Sequence, residues 1–124
     1  MESSLKTIAR DCLTMLVGGE IELAYEKYFS PDFKHHNEYY AGDRESLKQA
    51  MLADFQEKPE KQFTIHQIIE ENNTVVTYSH ITLQPGEPGL TVVHIMRFDG
   101  NQIAEMWDVA QQINANPVNE NGAF

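Results

Sequence analysis

The spacing of apolar residues changes once along this chain, near residue 60, and that change limits the folds open to it. Before residue 60, apolar residues recur every three or four positions, which predicts amphipathic helices. After residue 60, apolar, β-branched and aromatic residues alternate with polar ones or form short runs, which predicts strands. Helices followed by strands that short turns connect indicate an α+β fold with an antiparallel sheet, and not an alternating parallel α/β fold.

Three helices are predicted. The first begins at Ser3 or Ser4 and ends at Gly18-Gly19, because serine favours a helix start and glycine a helix end. The second ends at Ser30-Pro31, since the residue before a proline avoids the helical conformation. The third begins after Asp43 and ends at Lys58-Pro59. Residues 31–42 are predicted to form a connecting segment, and four main strands are predicted over residues 63–68, 74–83, 90–98 and 103–113.

The length and charge of the chain narrow its class. A chain of 124 residues fits a single domain, which we place at residues 1–113, followed by a polar tail at 114–124. Nine Lys and Arg residues against 19 Asp and Glu residues give a net charge of -10. Such a charge argues against nucleic acid or an anionic membrane surface as a partner, since both require a basic protein surface.

Cysteine usage indicates the compartment. The single cysteine, Cys12, lies on the apolar stripe of the first predicted helix and cannot form an internal disulfide. A lone thiol is typical of a reducing compartment, and the first residues do not have the pattern of a signal peptide. We therefore expect a cytoplasmic protein in which Cys12 is a buried core residue.

The last predicted hairpin turns at residues 99–102, and its register decides which side chains face the interior. A two-residue or four-residue turn places His94 opposite Trp107, Met96 opposite Glu105 and Leu90 opposite Gln111, because directly opposed residues share a face. A three-residue turn would instead bring Asp108 to the face of His94. The first register predicts a mostly apolar pocket with an aromatic wall, a few polar groups and His94 as its acid/base.

Other histidines are candidates for the same pocket. His80 lies beside Tyr78 in the second predicted strand, but the irregular loop at 84–89 leaves its facing direction open. One member of the His35-His36 pair, next to Asn37, is expected to point inward, and His36 is the one we select. His36, His80 and His94 lie on separate elements without closely spaced ligand pairs, so we predict no metal site.

The last hairpin also resembles a known family. The segment from Val92 to Phe98, a short turn, and the segment from Ile103 to Val109 resemble the "fR…dGkI.EhWDv" ending of SnoaL-like proteins of the NTF2-like superfamily. The order of three helices and then a sheet agrees with that family, and His36-Asn37 and the ending Asn121 to Phe124 resemble a bacterial branch linked to aldol-type condensations. The resemblance implies a cone-shaped α+β barrel and a homodimer formed through the sheet.

The resemblance also suggests an activity. Members of the superfamily include polyketide cyclases, ketosteroid isomerase and proteins that only bind a ligand, and the cyclases use an Asp four residues after the motif Trp. Gln111 occupies that position here and cannot take a proton. We therefore expect a cofactor-independent lyase, isomerase or cyclase that acts on a small carbonyl compound, or else a non-catalytic binding protein. Expected catalytic residues are His94, His36, His80 and Asp108, and expected substrate contacts are Trp107, Gln111, Asn37, Tyr78, Met96 and Glu105.

Overall fold

A computed structural model describes residues 4–124, which form three helices and a five-stranded sheet. The helices and strands in chain order are α1 (Leu5–Val17), α2 (Ile21–Tyr28), β1 (Phe29–His35), α3 (Arg44–Glu57), β2 (Gln62–Glu71), β3 (Thr74–Thr82), β4 (Leu90–Asp99) and β5 (Gln102–Gln112). The helix starts follow the predicted caps, because Ser4 and Asp43 each accept a hydrogen bond from a backbone N–H of the first turn. No described helix has the length and apolarity that a membrane crossing requires.

The sheet has the strand order β1-β5-β4-β3-β2. Strands β2 to β5 form the predicted antiparallel meander, and Asn72 and Asn73 turn the chain between β2 and β3 with positive φ angles of 52° and 60°. The edge strands β1 and β2 do not pair with each other, so the sheet is curved but unclosed. The α+β class is confirmed.

Strand β1 was not predicted. It pairs in parallel with β5, so the sheet is mixed, and residues 31–35 are not the irregular connection that the sequence indicated. Pro31 suggested a break in structure, but β1 is an edge strand, where a residue without an N–H is tolerated. Phe29, Phe33 and His35 point inward from this strand, and each is at most 7% exposed.

The register of β4 and β5 corrects one prediction. Asp99 pairs with Gln102, as a two-residue turn requires, but Phe98 pairs with Ile103 and Arg97 pairs with Glu105. Position 104 therefore has no partner on β4. A β-bulge there adds one residue to β5 and shifts every later pair by one position. His94 consequently lies opposite Asp108, and the expected His94–Trp107 pair is wrong.

The helices cover the inner face of the sheet, and the core lies between them. Tyr25 of α2 is 1% exposed and stacks on Phe29 with ring centroids 4.3 Å apart, while Phe33 meets the Phe29 ring edge-on. Cys12 is fully buried, as predicted, and burial raises the pKa of its thiol. The inner face of the sheet contributes Val75, Met96, Phe98, Ile103 and Met106.

The polar segment after residue 113 contains no helix or strand, yet its last residues lie on the outer face of the sheet. The Tyr78 hydroxyl donates a hydrogen bond of 2.7 Å to the Ala123 carbonyl oxygen. The Phe124 ring stacks on His66 with centroids 4.1 Å apart and also contacts His80. These contacts cover part of the outer surface of β2 and β3.

The cap of α3 permits a direct stability test. Asp43 Oδ2 accepts a hydrogen bond of 2.9 Å from the Ser46 backbone N–H, and the hydrogen bonds to Ser46 lower the pKa of Asp43. Asp43→Ala should lower the free energy of unfolding by about 1 kcal/mol at neutral pH, whereas Asp43→Asn should cost less because asparagine also caps helices. Urea denaturation measures both changes, and equal losses in the two variants would show that capping is not the cause.

Candidate active site

A cavity lies between the inner face of the sheet and helices α1 and α3. It consists of two adjoining lobes of about 170 and 250 Å³. We call the smaller one the polar lobe, because it also contacts His35, Asn37 and Tyr40, and the larger one the apolar lobe. Six residues line both lobes and so mark their junction: Leu13, Leu16, Met51, Asp54, His94 and Asp108.

His94 and Asp108 are the ionisable pair at this junction. They are cross-strand neighbours on β4 and β5, so both side chains point inward from the same face of the sheet. The Nδ1 atom of His94 is shielded from solvent and has no hydrogen-bond partner among the described residues. Burial lowers the pKa of His94 below its ordinary value of 6.5, and the nearby Asp108 carboxylate partly opposes that shift. At neutral pH the His94 imidazole is therefore uncharged, as a general base must be.

Asn37 holds Asp108 in place from the loop after β1. The Asn37 amide Nδ2 donates a hydrogen bond of 3.1 Å to Asp108 Oδ2, and Asn37 Oδ1 accepts one of 3.0 Å from the Tyr39 N–H. The Asn37 backbone N–H donates to His35 Nδ1, and His35 Nε2 donates to the Ala41 carbonyl oxygen at 2.7 Å. Because Nδ1 accepts and Nε2 donates, His35 is held as a neutral imidazole beside the polar lobe.

His36, the histidine selected from the pair, lies on the outer side of the sheet. Its ring stacks on Trp107 with centroids 4.9 Å apart, and its Nε2 lies 2.6 Å from Glu105 Oε2. The hydrogen bond with His36, together with Arg97 and Lys34, lowers the pKa of Glu105. The side chain that enters the polar lobe is His35, because alternation along β1 turns neighbouring residues to opposite faces.

The other candidates divide between the outer face and the core. Trp107 and Gln111 pair with Ile95 and Thr91, so both point outward, away from His94. Tyr78 and His80 also lie outside, where the imidazole of His80 contacts the Pro88 carbonyl oxygen at 2.7 Å. Met96 points inward but is completely buried in the core and does not line either lobe. Of the expected residues, the cavity contacts His94, Asp108 and Asn37. The expectation was wrong for the residues that point away from the cavity, which are Trp107, Gln111, Glu105, Tyr78, His36 and His80.

Sequence reasoning missed four polar residues that line the cavity: His35, Tyr40, Asp54 and Lys61. His35 could have been found from the alternation of Phe29, Phe33 and His35, had a strand been recognised there. Asp54 and Lys61 flank the end of α3 and resemble ordinary surface charges in the sequence. Within residues 4–124, no three His, Cys, Asp or Glu side chains are grouped closely enough to hold a metal ion.

The lowered pKa of His94 predicts a dependence of stability on pH. Below about pH 6.5 the unfolded chain binds a proton at this histidine before the folded protein does, so stability must fall as the pH falls toward the folded-state pKa. This group contributes at most about 1.4 kcal/mol per pH unit in that window. Urea unfolding of His94→Gln should show a shallower decline than the native protein, whereas His36→Gln should retain the steeper one. Identical declines in all three proteins would exclude a buried neutral His94.

A comparison of the sequence with known protein families is consistent with the fold described above. Residues 9–106 match the SnoaL-like domain family, so the match ends just before Asp108. No protein with a curated description is similar enough in sequence to count as a match.

Solved structures share the fold at low sequence identity. A candidate polyketide cyclase from Acidithiobacillus ferrooxidans is 21% identical over 88% of this chain and 92% of its own, with a TM-score of 0.66. A candidate ketosteroid isomerase from Kribbella flavida is 15% identical over 93% of this chain and 83% of its own, with a TM-score of 0.71. An uncharacterized cystatin-fold protein from Novosphingobium aromaticivorans is 17% identical over 87% of this chain and 99% of its own, with a TM-score of 0.72. By its family match and its NTF2-like fold, this chain belongs to the SnoaL-like domain family.

Proposed function

We propose that this protein binds a small carbonyl compound in the cavity and moves a proton at the carbon next to the carbonyl group. The observation that supports the proposal most strongly is the pairing of His94 with Asp108 at the junction of two otherwise largely apolar lobes. A few convergent polar groups in an apolar cavity are typical of a ligand site. A histidine whose pKa lies near or below neutrality can act as a general base.

The chemistry follows from the arrangement of these groups. Nδ1 of His94 is shielded within the protein, which leaves Nε2 as the nitrogen that meets a ligand. Nε2 takes the α-proton, the electron pair of the C–H bond forms an enolate, and the resulting imidazolium returns the proton to the same carbon or to another atom. Asp108, oriented by Asn37, stabilises the positive charge on His94 during this step. Asn37 and Tyr40 line the polar lobe and supply N–H and O–H groups for the carbonyl oxygen.

The placement of Gln111 bears on the family comparison. The cyclase acid/base Asp that the resemblance implies would lie at position 111, but Gln111 points to the outer face. Asp108 is the carboxylate of the last strand that lines both lobes. Proton transfer here is therefore assigned to the His94–Asp108 pair.

One observation favours a second candidate function, ligand binding without turnover. The His94 ring has no hydrogen bond to Asp108, whereas a catalytic base is ordinarily held in place by a third group. Under this alternative the same cavity binds a ligand, and the pair contributes only polarity.

Exchange of α-protons with deuterium distinguishes the two functions without knowledge of the natural substrate. A panel of small methyl and aryl ketones in D₂O would be followed by NMR with and without the protein, and binding would be measured in parallel. Catalysed exchange of a bound ketone that disappears in His94→Gln supports the proposal. Binding without exchange across the panel would favour the second candidate, and the absence of binding would contradict both.

We also propose that the protein forms a homodimer through the outer face of the sheet. Ile69 and Val109 on that face are 57% and 67% exposed, and Trp107 lies beside Val109. Exposed apolar residues grouped on one sheet face are typical of an interface. Light scattering should give a dimer mass for the native protein and a lower mass for Val109→Asp, whereas a monomeric native protein would contradict the proposal.

A further inference from the structure

A largely buried lysine lines the apolar lobe of the cavity. Lys61, directly before β2, lines this lobe together with Phe63, Ile81 and Leu83, and only 11% of its side chain is exposed. Lysine is rarely buried to this extent without a partner. Its described partner is Asp54 of α3, which also lines the cavity.

Two lysines share the Asp54 carboxylate. Asp54 Oδ2 pairs with Lys61, and Asp54 Oδ1 lies 3.6 Å from the Nζ of Lys58, so one carboxylate faces two ammonium groups. An ammonium group has three N–H donors, and within residues 4–124 the hydrogen bond of Lys61 to Asp54 uses one of them. Lys61 therefore retains N–H donors whose hydrogen bonds an anionic group in the apolar lobe can accept.

A second carboxylate, Asp108, lies at the junction of the lobes. Asp108 carries a negative charge there, and burial keeps His94 neutral near pH 7. An anionic group would be repelled by Asp108 and attracted by Lys61, so the two charges together would orient a ligand in one direction.

We infer that the ligand of this cavity carries a carboxylate or a similar anionic group, which Lys61 binds while the carbonyl group lies at His94 and Asp108. This inference rests on the proposed function and specifies its substrate class: a small carbonyl compound with an apolar body and an anionic end. The apolar lobe receives the body, and its volume of about 250 Å³ limits that body to a small group. Lys61 is therefore a specificity-determining residue.

A pair of probes with the same shape tests this inference. In 2-naphthoate a carboxylate replaces the acetyl group of 2-acetylnaphthalene, so the two differ mainly in charge. At about pH 8, above the ordinary pKa of histidine, His94 is neutral and cannot attract the anion. We expect the native protein to bind 2-naphthoate about tenfold more tightly than the ketone, as a charge-assisted hydrogen bond would provide.

Variants identify the group responsible. Lys61→Met should abolish the preference for the anion and leave the affinity for the ketone nearly unchanged, whereas Lys61→Arg should retain most of it. The double variant Asp54→Asn/Lys61→Met also removes the carboxylate that pairs with Lys61, and it should lose the preference as well. Lys34→Met, which removes a lysine on the outer face near Glu105, is the matched control and should bind both probes normally.

The outcomes separate this inference from the proposed function. Equal affinities of the native protein for the two probes, or no binding of 2-naphthoate, would overturn the inference even if the ketone binds and exchanges its α-protons. A matching loss of both probes in a folded Lys61→Met protein would also overturn it, because the ion pair would then serve only to join α3 to β2. If neither 2-acetylnaphthalene nor any ketone of the panel binds, that result instead contradicts the proposed function.

Discussion

His94→Gln should slow the exchange of α-protons of a bound ketone by about 10²- to 10⁴-fold, the range that a positioned acid/base group typically contributes. Glutamine retains polar atoms in the cavity but cannot take up a proton near neutral pH, so ketone binding should remain nearly unchanged. NMR exchange rates and binding isotherms, both measured on the same ketone, provide the comparison.

Histidines on the outer face provide the controls for this experiment. His36 is paired with Glu105, and His80 contacts the Pro88 carbonyl oxygen, both away from the cavity. His36→Gln and His80→Gln should therefore exchange the ketone at nearly the native rate. If either control variant lost activity as severely as His94→Gln, the assignment of proton transfer to His94 would fail.

Tyr25→Ala should lower the free energy of unfolding by about 3–5 kcal/mol, the loss expected when a large aromatic side chain is removed from a core. Tyr25 is 1% exposed, stacks on Phe29 and lies edge-on to Phe33, so its removal leaves a cavity that rigid neighbours cannot fill. A loss of this size is a large part of the 5–15 kcal/mol that is typical of a domain. Urea denaturation measures it.

Two further tyrosine variants separate packing from polar effects. The Tyr25 hydroxyl donates only a long hydrogen bond of 3.9 Å to Met51 Sδ, so Tyr25→Phe should cost about 1 kcal/mol or less. Tyr39 is 90% exposed, and Tyr39→Ala should change stability by about 0.5 kcal/mol or less. A loss below about 1 kcal/mol for Tyr25→Ala would mean that the aromatic cluster is not the centre of the core.

The helices and four of the strands could be predicted because local signals specify them. Ser4 and Asp43 cap helices through hydrogen bonds to residues only three positions away, and Asn72-Asn73 forms a turn from its own φ preferences. Strand β1 lacks such a local signal. Its parallel pairing with β5 joins segments about 70 residues apart, and Pro31 gives the opposite local indication.

One extra residue in β5 decides which side chains of that strand face the cavity. The bulge at position 104 decides whether Trp107 or Asp108 faces His94, and hydrophobic alternation could not reveal it, because both faces of β5 carry large apolar residues. Ile103 and Met106 are buried inside, while Trp107 and Val109 lie outside. His94 was identified as a candidate because its residue type suits the chemistry, and Asn37 because the His36-Asn37 segment resembles a branch of the family. Their alignment with Asp108 required the three-dimensional structure.

An NMR titration of the His94 ring in the native protein and in two variants tests the placement of His94 opposite Asp108. This placement predicts a pKa below 6.5 in the native protein, a lower pKa in Asp108→Asn because the stabilising negative charge is gone, and no change in Trp107→Phe. An ordinary histidine titration that responds to Trp107→Phe and not to Asp108→Asn would contradict it, because His94 would then face the indole and not the carboxylate.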